Sequence, residues 1–164
     1  MHYLSKVVMM DFKGAVDATR QALKRHHLTI LAEIDLHAAM RRHLSADFRP
    51  YLVLCACRLS QARQALEADE NVGSILFCNI VVQQHGARCI EISTVDPEAT
   101  LGTINHVDVI TMSRELRSVV ERVIGEVELV ANDRRDPRPR AAPGQKMRQP
   151  KPSKIATKTS SVSD

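Results

Sequence analysis

The sequence is poor in the residues that build several common kinds of site. It has no Trp, two Tyr and three Phe in 164 residues, too few rings for the stacking platforms that hold single-stranded nucleic acid. Six glycines leave little room for a Gly-rich phosphate loop, and neither a Gly-x-Ser-x-Gly elbow nor a His-Glu-x-x-His helix occurs. Missing motifs speak only for local sites, because catalytic groups need not be neighbours in sequence. Four cysteines, Cys55, Cys57, Cys78 and Cys89, are too few for a disulfide-stapled scaffold and point to reduced, cytoplasmic thiols. No apolar run reaches the roughly 18 residues that span a bilayer. The opening Met1-His2-Tyr3-Leu4-Ser5-Lys6 lacks the basic-then-apolar pattern of a secretory signal.

What is present is a core and an appendage. Hydrophobic residues make up 44% of the chain, and the formal net charge is +4. That charge is unevenly placed. Residues 132–164 carry 9 Lys/Arg against 3 Asp/Glu, a net of +6, which leaves 14 against 16, a net of −2, for residues 1–131. Five of the seven prolines also lie in the last 33 residues. Such a segment cannot bury enough apolar surface to offset its ordering entropy. The expectation is one globular domain over 1–131 and a disordered basic tail over 132–164. The tail could attract nucleic acid or an anionic surface in a salt-dependent way. Without aromatics or an amphipathic helix it carries no visible specificity, and a solubilising extension is the preferred reading.

Periodicity gives the domain its elements. Val7–Met10 predicts a strand, Lys13–His26 a helix, and Leu28–Asp35 a strand with Leu28, Ile30, Ala32 and Ile34 on one face. Glu33 and Asp35 would share the other face. Asp35 is placed to cap a helix over 36–44 with a stripe of Leu36, Met40 and Leu44. Tyr51–Cys57 predicts a strand, and Ser60 a cap for a helix over 61–68. Strands over 76–83 and 88–94 form a hairpin turning near His85-Gly86. Pro97 opens a short helical or irregular segment, and Ser113 precedes a long helix carrying Leu116, Val119, Val120, Val123, Ile124 and Val127. This order implies an α+β fold, a largely antiparallel sheet with helices packed on one face.

Several blocks in this order resemble one family. They are Asp11-Phe12, Ala22-Leu23-Lys24, Glu33-Ile34-Asp35, Asp47-Phe48-Arg49-Pro50-Tyr51, Ala56-Cys57, Ala65-Leu66-Glu67, Cys78-Asn79-Ile80-Val81-Val82 and Asp96-Pro97. Together, from about Val7 to Val130, they resemble the domain of unknown function 302 family. The resemblance implies a TATA-binding-protein-like α/β sandwich, a homodimer and no established activity. The chain departs from the family at three places. His27-Leu28 stand for Gly-Phe, Arg58-Leu59 for Asn-Pro after the first motif cysteine, and Phe77 for Pro before the second.

The functional expectation is a homodimeric binding or accessory module without evident catalytic machinery, its cofactor unspecified. It would hold a small apolar or thiol-reactive ligand, with Cys57, Cys78, Asn79 and Asp35 as the binding residues. A second expectation is a thiol-dependent or metal-assisted enzyme using Cys57 and Cys78, since thiolates and imidazole suit a soft metal. Against that stands the ordinary behaviour of free cysteine as a small buried hydrophobe. Asp35 is also explained by capping alone. The seven histidines include no pair at the four-residue spacing that clamps a metal on a helix. Asp96-Pro97 suits a helix start, and Cys89 reads as local variation.

Overall fold

The computed structural model describes residues 3–133, apart from Ile75, Thr103 and Asn105. Nearly all of the expected tail therefore lies outside the described residues. The elements are β1 (Tyr3–Met9), α1 (Phe12–Arg25), β2 (Thr29–Asp35), α2 (Leu36–Leu44), β3 (Tyr51–Cys57), α3 (Leu59–Ala68), β4 (Cys78–Gly86), β5 (Cys89–Val95), α4 (Pro97–Leu101) and α5 (Val107–Asp133). The five strands form one antiparallel sheet in the order β1-β5-β4-β3-β2. The fold is α+β.

Alternation along the strands sorts the two faces of the sheet. Val8, Leu54, Ala56, Ile80, Val82, Ile90 and Ile92 share one face and are buried. On this side α1 and α5 pack against each other and against the sheet. α1 contributes Ala15, Val16, Ala18, Ala22 and Leu23, and α5 contributes Leu116, Val119, Val120, Val123 and Val127. The opposite face leaves Tyr3, Val7, Met9 and Ile34 exposed, with Val53, Cys55 and Val81 half-buried between them.

Local chemistry starts and stops the helices. Asp11 caps α1 by accepting from the Gly14 amide at 2.7 Å. The C-terminus of α1 closes in a Schellman arrangement, with the Leu28 amide on the Leu23 carbonyl (2.9 Å) and the His27 amide on that of Lys24 (3.1 Å). This geometry forces His27 to a φ of 58°. Asp35 caps α2 through the Ala38 amide at 2.8 Å.

Four expectations need correction. A bulge lies between Ile30 and Ala32. Ile30 therefore points with Ala56 to the helix side, whereas Ala32 and Ile34 pair with Cys55 and Val53 on the other face. No residue of α2 is buried, and Leu44 of the expected stripe is 67% exposed. α3 begins two residues early, with Arg58 rather than Ser60 at its N-cap and no side-chain hydrogen bond there. Ser113 does not begin α5. It lies fully buried inside the helix, its hydroxyl donating to the Ile110 carbonyl at 2.7 Å.

Candidate functional site: a cavity beneath α4

Because β4 and β5 are antiparallel neighbours, the first residues of β4 lie beside the last residues of β5. α4 and the middle of α5 cover that end of the sheet. Between them is a cavity of about 190 Å³. The buried Cys78, Thr94, Leu101 and Leu116 form its inner wall, and the more exposed Phe77 and Asn79 border it, Asn79 pairing with Cys55 and so directing its side chain to the opposite face of the sheet.

The polar atoms of the inner wall are already paired. Cys78 Sγ lies 3.5 Å from Thr94 Oγ1, whose hydroxyl reaches the Val95 carbonyl at 3.4 Å. Burial pushes the Cys78 thiol from an ordinary 9.0 up to about 11, and the hydrogen bond with Thr94 only partly offsets this. The group is a neutral thiol at any physiological pH. Burial thus disfavours the thiolate through which a cysteine acts as a nucleophile.

The roof is fixed by charge. Asp96 caps α4 by accepting from the Glu98 amide at 2.9 Å, and Pro97 occupies the first turn. Arg117 of α5 stands 3.4 Å from Asp96 Oδ2 and 3.2 Å from Glu98 Oε2, and Arg114 stands 3.3 Å from Glu98 Oε1. Hydrogen bonds from Arg117 and Arg114 hold the Glu98 carboxyl below its usual range. The pairs tie α4 to α5 across the top of the cavity.

The residues singled out from sequence divide between three places. Cys78 and Asn79 both border the cavity, but only Cys78 turns its side chain to the helix side where the cavity lies, since Asn79 pairs with Cys55. Cys57 does not join them. Cys78 pairs with Ala56, so Cys57, the next residue, points to the opposite side of the sheet with Cys55. Burial, and then the neighbouring Cys55, raises the Cys57 thiol as well. Asp35 is at the far end of the sheet, since it pairs with Leu52 and Leu52 with Val82, four residues along β4 from Cys78. Glu33 is held by Arg20, whose Nε and Nη2 donate to its carboxylate at 2.9 and 2.5 Å. Glu33 and Asp35 are thus separately engaged, one in an ion pair and one in a cap. Among the described residues no three His, Cys, Asp or Glu side chains come together in a way that could hold a metal ion. Thr94 was missed from sequence. Its signal was there, a hydroxyl continuing the inward row of Ile90 and Ile92.

Two of the three departures noted above meet at one junction. Arg58, at the start of α3, donates from Nη2 to the His26 carbonyl at the end of α1 (3.3 Å), beside the left-handed His27. Phe77, 40% exposed, stands at the cavity mouth.

The model of the family described as domain of unknown function DUF302 matches residues 4–127. The chain belongs to the DUF302 family. A solved structure, the crystal structure of an uncharacterized conserved protein DUF302 from Bacillus stearothermophilus, is similar with a TM-score of 0.66 at 18% identity. The likeness covers 80% of this chain and 98% of that one, and it concerns the fold. A comparison with curated proteins finds no match. The match spans β1 through most of α5, so the cavity lies wholly inside the DUF302 domain. Among the described residues, no helix is long and apolar enough to cross a membrane.

Proposed function

We propose that this DUF302 domain is a homodimeric binding module that holds a small ligand in the cavity beneath α4. The observation that carries the reading is the cavity itself. It is a concave space between sheet and helices in which the apolar Leu76, Leu101 and Leu116 stand beside the engaged thiol of Cys78 and hydroxyl of Thr94, a mixture of apolar wall and few polar groups usual for a small-molecule site. A thiol enzyme built on Cys57 and Cys78 receives no support, because the two thiols face opposite sides of the sheet. Four free cysteines favour a reducing, cytoplasmic setting.

The homodimer part draws on the sheet face opposite α1 and α5. Five strands of about seven residues present roughly 24 by 23 Å, on the order of 550 Å² per protomer. Two copies face to face would bury about 1,100 Å² in total, within reach of the roughly 1,000 Å² a specific interface needs. The strands bring one carboxylate to this face, Glu91, which accepts from Gln83 at 2.8 Å and pairs with His85 at 2.8 Å. A face so lightly charged can meet its own copy without like-charge repulsion.

Native mass spectrometry of the full chain taken directly from cells tests the ligand reading. A co-purifying small molecule is expected, lost in Thr100→Phe, which fills the cavity from the half-buried roof, and retained in Thr100→Val. Retention of that molecule in a folded Thr100→Phe protein would place it elsewhere and overturn the reading.

A further inference from the structure

The sheet face opposite α1 and α5 carries a single carboxylate, and that carboxylate meets a histidine. We infer that His85 makes self-association through this face pH-dependent, so that two copies hold together more tightly as pH falls from about 8 to about 6. This inference rests on the homodimer reading above and adds its regulation.

The geometry comes from strand register. Gln83 pairs with Glu91 and Gln84 with Ile90, but the next pair is Gly86 with Cys89. His85 is therefore the extra residue of a β-bulge, which leaves it outside the ladder and re-aims its side chain. Its Nε2 lies 2.8 Å from Glu91 Oε2, and Gln83 Nε2 donates to the same oxygen at 2.8 Å. Glu91 Oε1 has no hydrogen-bond partner among the described residues, and the side chain is 26% exposed. Beside it on β1 stands Val7, paired with Glu91 and 56% exposed. A copy that covers this valine also takes water from the carboxylate.

Charge sets the sign of the effect. A carboxylate taken out of water costs free energy unless a cation goes with it. Beside a neutral imidazole, each protomer would carry an unbalanced negative charge into the interface. Beside an imidazolium, the pair enters with no net charge and a charge-assisted hydrogen bond. Imidazole is the side chain that gains its proton between pH 8 and 5. The nearby cations do not replace it. Arg49 donates to the Gln83 carbonyl oxygen rather than to Glu91. Lys6 of β1 turns to the helix side and pairs with Glu128, and Arg88, in the hairpin turn, makes no ion pair with Glu91. The other titratable side chains of this face, Tyr3, Tyr51, Cys55, Cys57 and Cys89, bring hydroxyls and thiols. A proton that the dimer holds more tightly than the monomer must, by reciprocity, tighten the dimer.

Sedimentation equilibrium of the full chain over a dilution series, at about pH 8, 7 and 6, tests this. The dimer dissociation constant is expected to fall by about tenfold across that range. His85→Gln, which keeps a hydrogen-bond donor but takes up no proton, is expected to remain a dimer with a flat response. Glu91→Gln is expected to invert the response, because an imidazolium would then be covered with no carboxylate to meet it. A wild-type constant that is unchanged or rises as pH falls would overturn the pH coupling and leave the homodimer reading standing. So would the wild-type response persisting in either variant. A monomer at every pH would give the face to another partner and overturn the homodimer reading itself.

Discussion

At the scale of single residues, Cys78 shows how burial decides chemistry. The same side chain that sequence marks as a motif cysteine becomes a hydrogen-bonded apolar wall atom once α4 closes over it. Its titration then makes a stability statement. Below pH 9.0 the thiol is protonated in both folded and unfolded chains, and its contribution to stability is complete. Between 9.0 and about 11 the unfolded chain loses the proton and the folded chain keeps it, so stability falls as pH rises. The span corresponds to roughly 2 to 3 kcal/mol. Urea melts at about pH 8 and about pH 10.5 should show this decline, shallower in Cys78→Ala. Native protein should leave Cys78 unmodified by iodoacetamide at neutral pH, and unfolding should expose it to reaction. Modification of the native thiol at neutral pH would contradict the buried placement.

Secondary-structure elements carry their own consequences. The φ of 58° at His27 is a conformation in which a Cβ is strained and glycine is not. His27→Gly is expected to stabilise the domain by about 0.5–1 kcal/mol, read as a higher urea midpoint with an unchanged slope. A lower midpoint would mean that the imidazole makes a compensating contact. The Gly of the family pattern thus has a physical meaning here, as does its Asn-Pro at 58–59, since Asn is a strong N-cap and Pro a favoured first helical residue. Arg58 supplies neither, and bonds α1 instead. On α4, Asp96→Ala removes both the cap and a partner of Arg117. It should cost about 1 kcal/mol and weaken ligand binding by loosening the roof, whereas a loss of stability with affinity untouched would separate the cap from the site.

For the whole molecule, the question is what covers the second face of the sheet. Val7→Glu places a charge on that face, at an exposed position opposite Glu91, and should convert a dimer to a monomer in light scattering without changing the circular dichroism spectrum. A dimer that survives this change would put the contact elsewhere. Ion pairs across elements also make the fold acid-sensitive. Arg20 lowers Glu33, and His26, with Arg25, lowers Glu126. Groups lowered in this way contribute stability above their ordinary range near 4.5 that is lost as pH falls through their folded values.

The sequence by itself determined the α+β class, the strand over 51–57, the hairpin, the caps at Asp35 and Asp96 and the family, because periodicity, capping and ordered motif blocks are written in neighbouring residues. It also placed Cys78 and Asn79 side by side. Tertiary structure decided the rest. Whether Cys57 meets Cys78 depends on strand register, which one residue reverses. The bulge between Ile30 and Ala32 turned Ala32 and Ile34 away from the helices, and no local pattern announces a bulge. Arg58, not Ser60, takes the N-cap position of α3, where its side chain reaches across to the His26 carbonyl of α1 rather than capping the helix. Thr94, Leu101 and Leu116 became one wall because β5, α4 and α5 converge there, and only packing brings residues so far apart in the chain around one space.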